Sequence, residues 1–138
     1  MTNQLFNRVA LIGVGLIGSS IARVIRRDKL AGSIIACARS DQTLDTVRRL
    51  GLADETTKEP AVAARDADLV IICTPVSTYG TIAEAMAPAL KRGTIVSDVG
   101  SVKVAAIAAV TPHLPVGVHF VPGHPIAGTE NSGPGAGF

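Results

Sequence analysis

Hydrophobic residues along this chain fall into short unbroken runs, separated by longer stretches in which apolar and polar positions recur with helical spacing. The runs are RVALIG (8–13), SIIACA (33–38), DLVIICT (68–74), TIVSDVG (94–100) and GVHFVPG (117–123), most of them rich in β-branched residues. Strands without polar alternation are those of a sheet covered on both faces. Between them lie amphipathic or alanine-rich stretches at 16–27, 41–50, 60–65, 77–90 and 102–111, which read as helices. A weaker run, ADETT (53–57), offers one more short strand. Repeated strand–helix units of this length predict a parallel sheet with right-handed crossovers, a doubly wound α/β domain. The punctuation agrees with this reading. Ser40 or Asp41, Ser77 and Ser101 stand where helix N-caps belong, and Gly93 follows Lys91 and Arg92 where a helix should end.

Composition narrows the class. At 138 residues the chain has room for one well-buried core. With 47% apolar residues but only 3% aromatic ones, it suits a parallel sheet under alanine-rich helices better than an aromatic-cored sandwich. A net charge of +2, no tryptophan and no basic stripe with interleaved aromatics argue against nucleic acid as a partner. The longest apolar runs, such as LVIIC (69–73), fall far short of the roughly 20 residues of a membrane-spanning helix. The segment NRVALIGVGLIGSSIA (7–22) has the charge and apolar run of a secretory leader. Its three regularly spaced glycines argue otherwise, and a cytoplasmic protein is expected. Cys37 and Cys73 fall in strands expected to flank the first strand on opposite sides, too far apart to bridge, and read as buried reduced thiols. No metal is assigned.

The first strand runs directly into GVGLIG, so Gly13, Gly15 and Gly18 fit G-x-G-x-x-G, with Leu16 and Ile17 at the helix start. In a strand–turn–helix context the first glycine makes the tight turn and the second lets backbone approach a pyrophosphate. The third lets helix pack on strand, while the helix N-terminus faces the anion. This is the dinucleotide-binding fingerprint of a Rossmann-type domain. The acid that grips the adenosine ribose belongs at the end of the second strand, where the chain reads CARSD. Ala38 occupies that place, followed by Arg39 and Ser40. A missing carboxylate removes repulsion toward a 2′-phosphate, and Arg39 can pair with one or stack on adenine, a slight lean from NAD to NADP. Asp41 remains an alternative partner for the ribose. Thr74, Pro75 and Val76 end another strand and would lie over the cofactor in the crevice; they read equally as a proline-initiated turn into a helix capped by Ser77.

Two further segments carry polar residues toward the same crevice. SDVGSVK places Ser101 at a helix start, and GHPIAGTENSG places His124 in a loop after the last strand. A neutral histidine beside a nicotinamide is a suitable hydroxyl-proton acceptor near neutral pH, and a serine can orient it. Ser101 reads also as a helix cap. His113 and His119 are assigned nothing, and Lys103, in a first helical turn, is read as solvated.

The stretches LIGVGLIGSS, ADLVIICTPV, SDVGSVK and above all GHPIAGTENSG resemble the prephenate/arogenate (cyclohexadienyl) dehydrogenases over essentially the whole chain. The resemblance implies oxidative decarboxylation in tyrosine biosynthesis, with hydride passing from prephenate or arogenate to NAD(P)+. It implies that His124 deprotonates the substrate hydroxyl, that Ser101 positions the histidine and touches substrate or nicotinamide, and that Thr129 lines the substrate pocket. Glu130 would belong to the mouth of the site. The family's helical dimerisation domain, which supplies cationic groups for the substrate carboxylates, is missing from these residues. Residues 123–138 would then be an active-site loop and junction. The chain reads as the nucleotide-binding fragment of a homodimeric enzyme, nearly inactive by itself. Two rivals stay open: a dehydrogenase of the same fold acting on another hydroxy acid or imine, and a nucleotide-sensing module without chemistry.

Overall fold

The computed structural model describes residues 4–123. Six strands, β1 (Phe6–Ile12), β2 (Ala31–Cys37), β3 (Glu55–Thr57), β4 (Leu69–Ile72), β5 (Ile95–Asp98) and β6 (His119–Val121), form one sheet. Every pairing is parallel and the order is β3-β2-β1-β4-β5-β6. Strand order reverses between β1 and β4, which makes the gap between them the topological switch point of the doubly wound fold. The helices are α1 (Leu16–Asp28), α2 (Asp41–Arg49), α3 (Pro60–Ala64), α4 (Tyr79–Met86) and α5 (Lys103–Val110).

The unbroken apolar runs have the expected cause. Val9 and Leu11 of β1 face a cluster that includes Ala22 and Ile25 of α1 and Val47 of α2. Ala10 and Ile12 face the opposite cluster, built on Ala63 of α3, Tyr79, Ala83 and Met86 of α4, and Ala106 and Val110 of α5. A strand buried on both faces has no place for a polar alternate. Small alanines at the helix–sheet contacts let the backbones approach closely, which suits a chain with few aromatics.

The expected elements all occur, with corrections at their ends. The stretch 77–90 is not one helix: a 3-10 turn (Val76–Thr78) precedes α4 and another (Ala87–Ala89) follows it. Pro88 within the second turn lacks the N–H that would continue the α-helix. Ser77 is therefore no cap. It sits exposed inside the first 3-10 turn, and α4 starts with no side-chain cap. Gly93 ends no α-helix; it adopts φ +93° in the turn before β5. Ser40 does cap α2, its hydroxyl accepting from the Thr43 N–H at 3.3 Å. Cys37 lies at the end of β2 and Cys73 just past β4, on opposite sides of β1, and both are free thiols. Burial pushes Cys37 up to about 11 and Cys73 up to about 12, so both stay protonated at neutral pH. Among the described residues, no helix is long and apolar enough to cross a membrane.

Candidate dinucleotide site and its rim

Because all six strands are parallel, their carboxyl ends share one edge. The register aligns Ile12 with Cys37 on one side and with Ile72 on the other, then Ile72 with Asp98. The segments that leave these residues are the glycine turn, the Ala38–Arg39 turn, the Thr74–Val76 turn and the loop carrying Ser101. Ser97 pairs with Val121, so Pro122 and Gly123 leave β6 at the same edge.

The glycine turn has the three environments its motif demands. Gly13 adopts φ +92°, and a Cβ there would stand 2.6 Å from Thr74 Cγ2, so only glycine fits both the turn and its neighbour. At Gly18 a Cβ would meet the Gly13 carbonyl oxygen at 2.7 Å, which sets how tightly α1 packs on β1. Gly15 differs: nothing lies within 4 Å of its virtual Cβ. It is also the N-cap of α1, which has no side-chain cap and no acidic residue in its first turn. The first N–H groups of an α-helix lack intrahelical partners, so Leu16 and Ile17 open a helix whose positive end faces that free space. Nearby hydroxyls do not compete for it, since Ser19 and Ser20 both donate to the Leu16 carbonyl at 2.9 and 3.0 Å. Open volume, free donors and no fixed anion fit the pyrophosphate of a dinucleotide.

These environments predict opposite outcomes for two alanine substitutions. Gly15→Ala should leave the melting temperature unchanged and weaken NADH binding about tenfold, roughly 1.4 kcal/mol. Gly18→Ala should lower the melting temperature, because its Cβ meets backbone rather than a yielding side chain. Calorimetric titration and a thermal melt separate the two effects.

Elsewhere along the edge, Arg39 and Ser40 are exposed in the turn after β2, and Asp41 pairs with Lys58 at 2.9 Å. Thr74 packs on the glycine turn and accepts from the Thr78 hydroxyl at 2.8 Å. Val76 reaches across to the next loop, where its Cγ2 would stand 2.8 Å from a Cβ at Gly100. The structure thus brings the glycine loop, the Thr74–Val76 turn and the loop after β5 side by side.

Ser101 corrects one expectation. The N-cap of α5 is Val102, with no side-chain cap, and Ser101 lies exposed in the loop before it. Its hydroxyl is not committed to the helix end. His124, Thr129 and Glu130 lie outside the described residues. His113 is partly buried in a 3-10 turn (Thr111–His113), and His119 opens β6 with an exposed side chain.

Lys103 is the larger correction, and it uncovers a residue that sequence reasoning passed over. Rather than standing in solvent, Lys103 Nζ donates to both carboxylate oxygens of Asp98 at 2.7 Å and also to the Gly123 carbonyl. The Asp98 side chain is fully buried, and that of Lys103 is 27% exposed. Asp98 accepts three more bonds, from the Gly123 N–H at 3.1 Å, the Gly100 N–H at 3.0 Å and the Tyr79 hydroxyl at 3.1 Å. Burial by itself would push this carboxyl up; Lys103, the Gly123 and Gly100 amides and the Tyr79 hydroxyl outweigh it and hold the pKa below the ordinary value. Tyr79, wholly buried, is pushed up by burial and by the Asp98 charge, so it remains a donor. Gly100 and Gly123 are glycines for want of space: a Cβ on either would come within 2.7–2.8 Å of this cluster or its backbone. A dipole penalty of up to about 1 kcal/mol at the start of α5 favours a solvated lysine. A buried anion five residues earlier reverses that judgement. The available signal was the aspartate itself, a charge at the end of a run otherwise apolar enough to be a central strand.

The prephenate dehydrogenase nucleotide-binding domain family matches residues 21–138. Cyclohexadienyl dehydrogenase of Zymomonas mobilis is 46% identical over 133 residues, 96% of this chain and 45% of that protein. Prephenate dehydrogenase of Bacillus subtilis is 33% identical over 95% of this chain and 36% of its own. Among solved structures, prephenate dehydrogenase from A. aeolicus in complex with hydroxyphenyl propionate and NAD+ superposes with a TM-score of 0.85 at 32% identity, covering 96% of this chain and 46% of that one. Synechocystis arogenate dehydrogenase follows at 0.83 and 29%, over 95% and 45% of the two chains. The chain therefore spans less than half the length of the relatives it matches. A glycine turn fitted to a dinucleotide, a six-stranded parallel sheet in 3-2-1-4-5-6 order and a family match over most of the chain agree, and this chain belongs to the prephenate dehydrogenase nucleotide-binding domain family.

Proposed function

We propose that this chain is the cofactor-binding part of an enzyme that oxidatively decarboxylates prephenate or arogenate in tyrosine biosynthesis. The observation that supports it best is the shared edge: Gly123, the residue before His124, is tied to Asp98 on the same side of the sheet as the glycine turn. A bound nicotinamide would supply the hydride acceptor for the hydroxyl-bearing ring carbon of the substrate. The chain's own residues do the rest. The α1 N-terminus holds the pyrophosphate, Thr74–Val76 cover the dinucleotide, and Ser101 orients the His124 imidazole. That imidazole takes the hydroxyl proton as the hydride leaves carbon. The carbon–carboxylate bond then breaks, and its electron pair aromatises the ring as carbon dioxide departs. The oxygen regains a proton and becomes the phenol. Thr129 lines the substrate pocket and Glu130 its mouth.

By the same reading, residues 123–138 are assigned to the active-site loop and to the junction with a helical domain that completes the pocket and the dimer. The 138 residues by themselves bind NADH and turn over prephenate barely or not at all. Titration with NADH followed by a prephenate oxidation assay tests both statements. Failure to bind NADH sinks the reading of the glycine turn, and robust turnover by this chain alone sinks the division of labour.

Cofactor choice follows from the turn after β2. Arg39 replaces repulsion by attraction toward a 2′-phosphate, so NADPH is expected to bind at least as well as NADH. Arg39→Ala should weaken NADPH about tenfold and NADH less than threefold, on the scale of one charge-assisted contact. Equal losses for both would assign Arg39 to the adenine face instead.

A further inference from the structure

We infer that Asp98 and Lys103 are positioning residues that aim the chain leaving β6 toward the reacting centre. The inference rests on the reading of His124 as proton acceptor. Lys103 has three N–H donors, and all three are engaged, two on Asp98 and one on the Gly123 carbonyl. Asp98 takes the Gly123 N–H in return. Both polar groups of one backbone residue are thus bound by a single ion pair. That arrangement fixes the Gly123 N–H and carbonyl, and with them the direction in which the chain leaves β6. The anchor is itself rigid. Asp98 ends a central strand, its carboxylate is fully buried, and the Tyr79 hydroxyl and Gly100 N–H hold it from the α4 side and from its own loop. Gly100 N–H also links the hub to the loop that carries Ser101, one residue further on. The two segments assigned to proton transfer therefore spring from one buried carboxylate. A catalytic group held loosely by its support loses rate without losing its chemistry.

The test uses the full-length protein. Lys103→Met removes the donors and keeps the length of the side chain. It should lower kcat about 30-fold, on the scale of a small misplacement of a reacting group, while the KM and Kd for the dinucleotide stay within about threefold. Lys103→Arg, which keeps the charge but changes its shape, should recover part of the loss. A Lys103→Met protein with kcat within threefold of the parent, or one that loses dinucleotide binding in proportion to kcat, overturns the inference. If Lys103→Met does not fold, Lys103→Arg decides alone, with a kcat loss of at least fivefold at unchanged dinucleotide Kd as support and a smaller loss as refutation. His124→Asn, assayed alongside, separates the two layers. Turnover surviving that change sinks the proton-acceptor reading. Turnover lost there but kept in both Lys103 variants sinks only the role of the hub.

Discussion

Asp98→Ala is expected to cost about 3 kcal/mol of folding stability at pH 7, a large share of the roughly 5–15 kcal/mol typical of a domain. The substitution removes little apolar area; its damage is to the groups left behind. Lys103 loses its counter-charge in a mostly buried place, and the Tyr79 hydroxyl loses its acceptor in a fully buried one. Urea unfolding of parent and variant measures the difference, and a gap under 1 kcal/mol would contradict the account. Its pH dependence has a definite sign. The folded carboxyl titrates below the ordinary aspartate value, so the unfolded chain takes up the proton first. The stabilisation is complete above about pH 4, the range of an unfolded aspartate, and drains away as pH falls through the lower folded value. Parent and variant should therefore converge in acid, where the parent's own Asp98 is neutral.

His124→Asn carries the largest expected effect on turnover, a loss of about 10³ in kcat in the full-length protein. Asparagine keeps a polar group of similar reach but cannot accept and hold a proton near neutral pH. Binding of the dinucleotide should stay within about threefold, because the pyrophosphate is expected at the α1 N-terminus and not at the imidazole. Prephenate oxidation rates and NADH titration of the same preparation check the two halves together. Activity within tenfold of the parent would remove the imidazole from the proton path.

The architecture was readable because burial on both faces leaves an unmistakable mark. Runs such as LVII in β4 and VALI in β1 admit no polar alternate, and the spacers between them have helix length. The glycine turn was readable for a related reason, since each of its three positions answers a separate steric demand. Reading failed where side chains make decisions across the sheet. Ser77 and Ser101 look like caps locally, yet the chain enters α4 through a 3-10 turn and begins α5 past the serine, so neither performs that task. Lys103 reads as solvated from its place in a first helical turn, because its partner Asp98 ends a strand whose run is otherwise apolar. Pairing of this kind depends on which strand neighbours which helix, and sequence periodicity says nothing about that.

The hydrogen bonds that converge on Asp98 join residues 19 and 25 positions away from it, on both sides along the chain. They require α4, β5, α5 and the end of β6 to have docked, so the carboxylate keeps its water until this half of the sheet has assembled. Contacts made after the rate-limiting step slow escape from the native state and leave the approach to it untouched. Asp98→Ala should accordingly hasten unfolding with refolding scarcely changed. By this account the same ion pair sets the lifetime of the folded domain.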